Sequence, residues 1–198
     1  MEISVELVKK LRERTGAGIV DCQKALRDSV GELEKAIDLL RERGVVKAAK
    51  KSGRATQEGA IASYIHMGGK IGVLLELNCE TDFVAKTHHF QDLARNLTLH
   101  VAAAAPQWVG REGISAETIE KEKEIYRVQA KDSGKSPTVI EKIAEGKLQK
   151  FYAETCLLEQ PYVRDPNQTV QQLITEAIAK LGENITVRRF ARFQVGQS

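Results

Sequence analysis

The chain has 198 residues, of which 42% are hydrophobic and 29% are charged. This length is sufficient for one or two domains with a buried core, and the composition excludes a disordered or fibrous protein. The 30 basic and 27 acidic residues give a net charge of +3, which is too balanced to indicate a nucleic-acid-binding protein by itself.

The cysteines and the apolar runs indicate the compartment. Cys22, Cys79 and Cys156 are far apart and form no Cys-x-x-Cys pair, which argues against a disulfide framework or a zinc site and for reduced thiols. The charged amphipathic N-terminus does not resemble a signal peptide, and no apolar run approaches the roughly 18 residues of a membrane span. We therefore expect a cytoplasmic protein with no membrane partner.

Residues 4–43 predict three short helices. Ser4 is a candidate N-cap of the first helix, residues 15–18 break the pattern after it, and the second helix ends near Gly31. The third helix is predicted to end at Gly44, and its apolar face has the helical spacing of Leu33, Ala36, Ile37 and Leu40. So few apolar positions predict a marginally stable bundle, used for docking rather than chemistry.

The segment Lys47–Arg54 has four basic residues and no acidic one. We interpret it as a short basic helix and hinge between two domains, an N-terminal domain of residues 1–54 and a core domain of residues 55–198. A nucleic-acid contact is the alternative, although no aromatic residues stand among the four charges.

The core domain begins with a predicted β-hairpin. Strand-like residues 59–66 lead into the turn Met67-Gly68-Gly69-Lys70, and apolar residues then alternate over 71–77. Residues 185–195 predict a third strand that pairs with this hairpin. The predicted fold class is α+β, with a three-stranded antiparallel sheet covered on one face by helices.

Helical patterns occupy most of the region between the hairpin and the last strand. Pro106 stops the first of these helices, and the second is so dense in charge that most of it must face solvent. Two proline-containing stretches, residues 160–162 and 165–167, predict a loop before the last helix. The predicted helices cover about residues 87–105, 115–131, 136–159 and 169–182.

Residues 78–86 connect the hairpin to the first of these helices, where the hydrophobic period changes from two to about 3.6. Such a corner displays side chains outward from a rigid frame. Either Thr81 or Asp82 can cap the helix, and a carboxylate suits its positive end. Phe83 has no capping role, so its ring either packs back on the sheet or points at a partner.

The sequence contains no recognisable catalytic or metal-binding motif. None of the four histidines forms a His-x-x-x-His pair, and the adjacent His88 and His89 are best explained as solvated helix residues. Cys79 could be a nucleophile near a helix N-terminus, although a buried core cysteine explains it better. The pattern favours a binding protein over an enzyme, with no cofactor and no metal ion.

Three stretches resemble one family. The first is Leu11-Arg12-Glu13-Arg14-Thr15-Gly16-Ala17-Gly18 followed by Asp21-Cys22-Gln23-Lys24-Ala25-Leu26, the second is the corner of residues 78–86, and the third is Gly182-Glu183-Asn184-Ile185 with Arg188-Arg189. Together they resemble the bacterial translation elongation factor Ts family, in its short form. The resemblance extends along essentially the whole chain, and its Thr81–Lys86 motif is highly specific.

The resemblance implies a guanine-nucleotide exchange factor that promotes GDP release from elongation factor Tu. It implies a ubiquitin-associated-like N-terminal bundle that docks on Tu through Arg12, Ile19 and Val20, where many members have a Met-Met pair in place of the last two. It also implies a homodimer, which is associated with the short form. The segment that dislodges the Mg²⁺ bound to Tu would comprise Thr81, Asp82, Phe83 and Val84, with Asp82 and Phe83 in the leading roles.

Two other functions stay open on the residues alone. An RNA-binding translation accessory module would use residues 47–54 and the arginines of the last strand. A thiol enzyme would use Cys79. Because Ala191 stands in the last strand with no neighbouring cysteine, we expect no covalent dimer.

Overall fold

The computed structural model describes residues 3–131 and 136–197, and in these residues it contains eight α-helices and five β-strands. Two short 3₁₀-helices, Arg111–Gly113 and Leu157–Glu159, interrupt the longer elements. In chain order the elements are α1 (Val5–Thr15), α2 (Ile19–Asp28), α3 (Leu33–Ala49), β1 (Glu58–Ile65), β2 (Ile71–Cys79), α4 (Asp82–Ala85), α5 (His88–Ala104), α6 (Ala116–Lys131), α7 (Pro137–Thr155), β3 (Pro161–Tyr162), β4 (Asp165–Thr169), α8 (Val170–Leu181) and β5 (Ile185–Gln194).

The three N-terminal helices confirm the predicted bundle. Ser4 caps α1, because its side-chain oxygen accepts a hydrogen bond of 3.2 Å from the backbone N–H of Leu7. Gly16 ends α1 with a φ of +66°, which favours glycine. The core is small, as the sequence predicts, and consists of Val8, Leu11, Cys22, Ala25, Leu26 and Ala36 with partly buried residues around them.

The predicted end of α3 at Gly44 is wrong. Helix α3 continues to Ala49, and Gly44 is buried within it. A Cβ at Gly44 would lie 3.4 Å from Cβ of Ala179 in α8, so the glycine allows close packing of the two helices rather than ending one of them. The segment Lys47–Arg54 is therefore not a separate basic helix; it comprises the last turn of α3 and the turns that follow.

The predicted sheet is confirmed. The strands lie in the order β1-β2-β5 in an antiparallel sheet. Gly68 and Gly69 both have positive φ in the turn between β1 and β2, as a tight hairpin requires. Alternate residues of β2 are buried, namely Val73, Leu75, Leu77 and Cys79.

The region between α7 and α8 differs from the prediction. Helix α7 ends at Thr155, and Leu157–Glu159 is a 3₁₀ turn rather than more helix. The predicted loop of residues 160–167 instead contributes to a small antiparallel ribbon, in which β3 pairs with β4. Two-stranded ribbons have only edge strands, where proline is tolerated, so Pro161 and Pro166 do not prevent the pairing.

His100 on α5 differs from its neighbours on the same helix. His88 and His89 are exposed, as expected, whereas His100 is fully buried. Its Nε2 lies 2.9 Å from Oε1 of Gln160, and its Nδ1 accepts a bond of 3.3 Å from the N–H of Val163. Burial lowers the pKa of His100, so the ring serves as a neutral, fully bonded part of the core.

The chain divides into two compact units, neither of which is a single segment. The first comprises Met1–Ile61, Glu76–Ala94 and Gln172–Thr186, and the second comprises Ala62–Leu75, Arg95–Gln171 and Val187–Ser198. Arg12, Ile19, Val20 and residues 81–84 all lie in the first unit, whereas the arginines of the last strand lie in the second. A functional division at residue 54 stays a prediction.

Candidate functional site

The corner is a sharp transition from strand to helix. Strand β2 ends at Cys79, and the single helical turn α4 begins after Thr81, which has extended backbone angles. The Thr81 side-chain oxygen accepts a hydrogen bond of 3.4 Å from the N–H of Val84. Thr81, rather than Asp82, is therefore the cap.

Phe83 points away from the protein. Its side chain is 80% exposed, whereas Ala85 on the same turn is buried. Of the two orientations that the sequence left open, the structure has the outward one. An isolated exposed aromatic ring is common on protein surfaces, so its significance depends on how rigidly the corner presents it.

Asp82 is already paired within the chain. Its Oδ2 lies 2.5 Å from Nζ of Lys86, one helical turn later. The hydrogen bond from Lys86 lowers the pKa of Asp82 below its ordinary value, so the carboxylate is charged at neutral pH. The Asp82–Lys86 spacing is visible in the sequence, but the ion pair is apparent only in the structure.

Glu183, in the turn between α8 and β5, binds the corner. Its Oε2 accepts hydrogen bonds from the backbone N–H groups of Glu80 at 3.1 Å and Thr81 at 3.0 Å. Its Oε1 accepts the hydroxyl proton of Thr81 at 2.6 Å. The sequence contained Glu183 in a family-like motif, but nothing local predicted a partner 102 residues away.

A second set of bonds runs in the opposite direction. The backbone N–H of Asn184 donates to Oε1 of Glu80 at 2.6 Å, and Nη1 of Arg54 lies 3.4 Å from the same carboxylate. The N–H of Asn184, followed by the charge of Arg54, lowers the pKa of Glu80. The buried Asn184 amide also donates to the carbonyl of Arg54 at 2.9 Å. We refer to these five residues, Arg54, Glu80, Thr81, Glu183 and Asn184, as the corner clasp.

Cys79 lies beneath the corner and is not a nucleophile. The residue is fully buried, and its thiol lies 3.1 Å from the carbonyl oxygen of Thr81. Burial raises the pKa of the thiol to about 11, so it is protonated at neutral pH and unreactive. All three cysteines are free and buried, as the sequence predicts for reduced thiols.

The N-terminal candidates are all exposed on the three-helix bundle, and we refer to them as the N-terminal surface. Ile19 is 51% exposed and Val20 is 76% exposed, both on the first turn of α2. Arg12 is an exposed residue of α1. The sequence grouped these residues by resemblance, and the structure places all three at the surface.

The basic segment has structural partners. Lys47 pairs with Asp21 at 2.9 Å, Lys51 donates to the carbonyl of Gly182 at 2.5 Å, and Arg54 belongs to the corner clasp. Three of the four basic residues of this segment therefore have partners within the chain. Within the described residues, no cluster of His, Cys, Asp and Glu could hold a metal ion, and no helix is long and apolar enough to cross a membrane.

Comparisons with known proteins identify the family. A family model described as "Elongation factor TS" matches residues 21–197. Elongation factor Ts of Fervidobacterium nodosum is 60% identical over 197 residues, which cover 100% of each chain. That of Thermosipho melanesiensis is 60% identical over 195 residues, or 98% of this chain and 100% of the relative. That of Geobacter sulfurreducens is 55% identical over 197 residues, or 100% of this chain and 91% of the relative.

These relatives are translation elongation factors, and they match the chain over essentially its whole length. The chain belongs to the elongation factor Ts family. The family resemblance of the three sequence stretches is thereby confirmed.

Proposed function

We propose that the chain is a guanine-nucleotide exchange factor for elongation factor Tu, that it works in the cytoplasm and that it has no cofactor of its own. Family membership supports the partner. The observation that supports the mechanism is the outward, 80% exposed ring of Phe83 on a corner that distant residues hold in place.

An exchange factor requires no catalytic acid or base. It requires a surface that binds the GTPase more tightly when the nucleotide site is distorted. Burial of the Phe83 ring against Tu would contribute about 1.5–3 kcal/mol to that preference. Because the coupling is reciprocal, returning nucleotide expels the factor by the same free energy.

The corner would act on the Mg²⁺ and phosphate groups in the site of Tu. Displacement of the ion leaves the phosphates uncompensated and weakens nucleotide binding. Asp82 would bring negative charge to this region, but Lys86 offsets that charge in the free chain. Phe83 is therefore the larger contributor in this mechanism, and Thr81 and Val84 provide the capped turn that carries it.

One aromatic wedge is too weak to act alone, because a population shift of about 10⁴ requires roughly 5.5 kcal/mol. Arg12, Ile19 and Val20 would supply further binding energy by docking on the nucleotide-binding domain of Tu. Ile19 and Val20 are β-branched and stiffer than the methionines of many relatives, so this contact retains its apolar character and loses adaptability.

The direct test is stopped-flow release of a fluorescent GDP from purified Tu, with and without the chain. We expect release to accelerate with the concentration of the chain and to reach a plateau. Binding to Tu without acceleration would overturn the proposal. Salt-dependent binding to RNA in the absence of Tu would instead support an RNA-binding accessory module.

We also propose that two copies associate through the sheet, as the resemblance to short-form members implies. Exposed apolar side chains support this, since Ile65 on β1, Leu74 on β2 and Phe193 on β5 are each about half exposed or more. Ile65 lies over Gly72, on the face that Leu74 shares. Sedimentation equilibrium should give a dimer that Ile65→Lys dissociates, and a monomeric wild type would contradict the proposal.

A further inference from the structure

We propose that Glu183 is a positioning residue that holds the corner in the shape that presents Phe83. The predicted effect of Glu183 on GDP release rests on the proposed exchange function. The geometry on which it depends, however, belongs to the free chain and can be measured without Tu.

The backbone N–H groups at the corner need hydrogen-bond acceptors. Glu80 and Thr81 lie between the end of β2 and the start of α4, and buried or half-buried backbone N–H groups need hydrogen-bond acceptors. Glu183 accepts from the N–H groups of Glu80 and Thr81, whereas Thr81 itself accepts from Val84. One carboxylate thus accepts from the backbone N–H groups of both residues that connect β2 to α4.

Glu183 also orients the hydroxyl group of Thr81, which caps α4. A threonine hydroxyl has one proton and can rotate. Because that proton is donated to Oε1 of Glu183 at 2.6 Å, the lone pairs of the hydroxyl are directed toward the N–H of Val84. Glu183 therefore sets both the backbone of the bend and the direction of the cap that starts α4.

The corner and the turn that carries Glu183 accept hydrogen bonds from each other. Glu80 of the corner accepts from the N–H of Asn184, the residue next to Glu183, so each of the two turns holds the other. Gly182 has a φ of +83° at the end of α8, and Lys51 donates to its carbonyl. The turn that carries Glu183 is thereby fastened to the segment after α3 as well as to the corner.

These bonds indicate that Glu183 acts through Thr81 rather than by touching a partner. Both oxygens of its carboxylate are engaged in bonds within the chain, and the residue is half-buried. It is therefore a positioning residue, and its effect should appear in the shape of the corner and in the rate that the corner produces.

The test compares Glu183→Ala, the isosteric Glu183→Gln and, as a matched control, Glu42→Gln at an exposed position of α3. Amide hydrogen exchange of the chain alone is the first readout. Loss of the acceptor should reduce protection of the Glu80 and Thr81 amides about tenfold in Glu183→Ala, by a few fold in Glu183→Gln, and not in the control.

Stopped-flow GDP release from Tu is the second readout. The plateau rate at saturating factor should fall about tenfold in Glu183→Ala, while the half-saturating concentration changes less than about threefold, because the N-terminal surface is retained. Loss of folded protein alone would raise the half-saturating concentration and leave the plateau rate unchanged, so a lower plateau separates positioning from a purely structural role.

Each outcome decides the inference. Unchanged protection of Glu80 and Thr81 in Glu183→Ala overturns it, and so does lost protection with a wild-type plateau rate. If Glu183→Ala fails to fold, Glu183→Gln decides by the same two readouts. If wild type does not accelerate release, the exchange proposal fails, while the amide protection still decides whether Glu183 positions the corner.

Discussion

The corner and the N-terminal surface are held in contrasting ways. At the corner, the clasp connects three distant segments through hydrogen bonds, some of them to carboxylates, and Cys79 is fully buried beneath it. At the N-terminal surface, Ile19 and Val20 begin a helix whose N-cap, Gly18, makes no side-chain capping bond. The small apolar core of the bundle is their main support.

In the proposed mechanism, this contrast corresponds to two tasks. A wedge must keep its shape while it enters a closed site, because a side chain that yields cannot transmit binding energy to the nucleotide. A docking surface tolerates adjustment and contributes affinity. We therefore expect corner variants to lower the maximal exchange rate and N-terminal variants to weaken binding.

The largest effect should follow from Gly59→Ala, which deforms the support of the corner. Gly59 of β1 has a φ of +150°, and a Cβ there would overlap the backbone of Leu77 and Asn78. We expect a loss of about 3 kcal/mol in the free energy of unfolding, measured by urea denaturation. Gly53→Ala is the control, since a Cβ there would meet nothing within 4 Å, and equal losses in the two variants would contradict the prediction.

A smaller effect should follow from Ile19→Ser combined with Val20→Ser. Loss of this apolar contact should weaken binding to Tu by about 1.5–3 kcal/mol, or roughly 10- to 150-fold, and lower the plateau rate less than the corner variants do. Isothermal titration calorimetry and stopped-flow release separate the two quantities. The matched control is Val45→Ser with Val46→Ser, a pair on α3 in which each residue is 56% exposed; if that pair weakened binding equally, the docking surface would be misplaced.

Val30→Gly should stabilise the bundle by about 1 kcal/mol. Val30 is 65% exposed and has a φ of +56°, which is costly for a β-branched residue. Glycine relieves this strain, and the greater freedom of the unfolded chain offsets part of the gain. Thermal unfolding measures the change. The melting temperature should rise less in Val30→Ala than in Val30→Gly. A lower melting temperature for Val30→Gly would show that the side chain contributes to packing.

The smallest expected effect is the lowered pKa of Glu80 in the corner clasp. The hydrogen bond from Asn184 lowers the pKa of Glu80 below 4.5, so the contribution of this bond is present above that value and lost as the pH falls through the lowered pKa. The amide signal of Asn184 in an NMR titration should therefore change with a midpoint below 4.5. Arg54→Gln should raise that midpoint only slightly, because Arg54 is the lesser cause; a wild-type midpoint at or above 4.5 would contradict the assignment.

Features with a local cause could be predicted from the sequence. The Ser4 cap, the Gly68-Gly69 turn, the alternation of β2 and the change of period at the corner each depend on neighbouring residues, and each is present. Thr81 and Asp82 were equivalent as caps until the structure distinguished them. The sequence placed Phe83 at the corner, but it left open whether the ring packs on the sheet or points outward.

Features with a distant cause could not be predicted. Gly44 resembled a helix end because its reason, the proximity of Ala179, lies on another helix. His100 resembled its exposed neighbours because its partners are about 60 residues away. Glu183 had no visible role for the same reason, since the Thr81 that it binds is 102 residues away.

The most direct measurement is stopped-flow release of fluorescent GDP from Tu by wild type, Phe83→Leu and Phe83→Ala. Because the ring is 80% exposed, the melting temperature of the free chain should not change. If the ring is the wedge, Phe83→Ala should reduce the accelerated rate roughly 10- to 150-fold, the equivalent of about 1.5–3 kcal/mol, and Phe83→Leu should fall between. A folded Phe83→Ala protein that accelerates release as well as wild type would contradict the account.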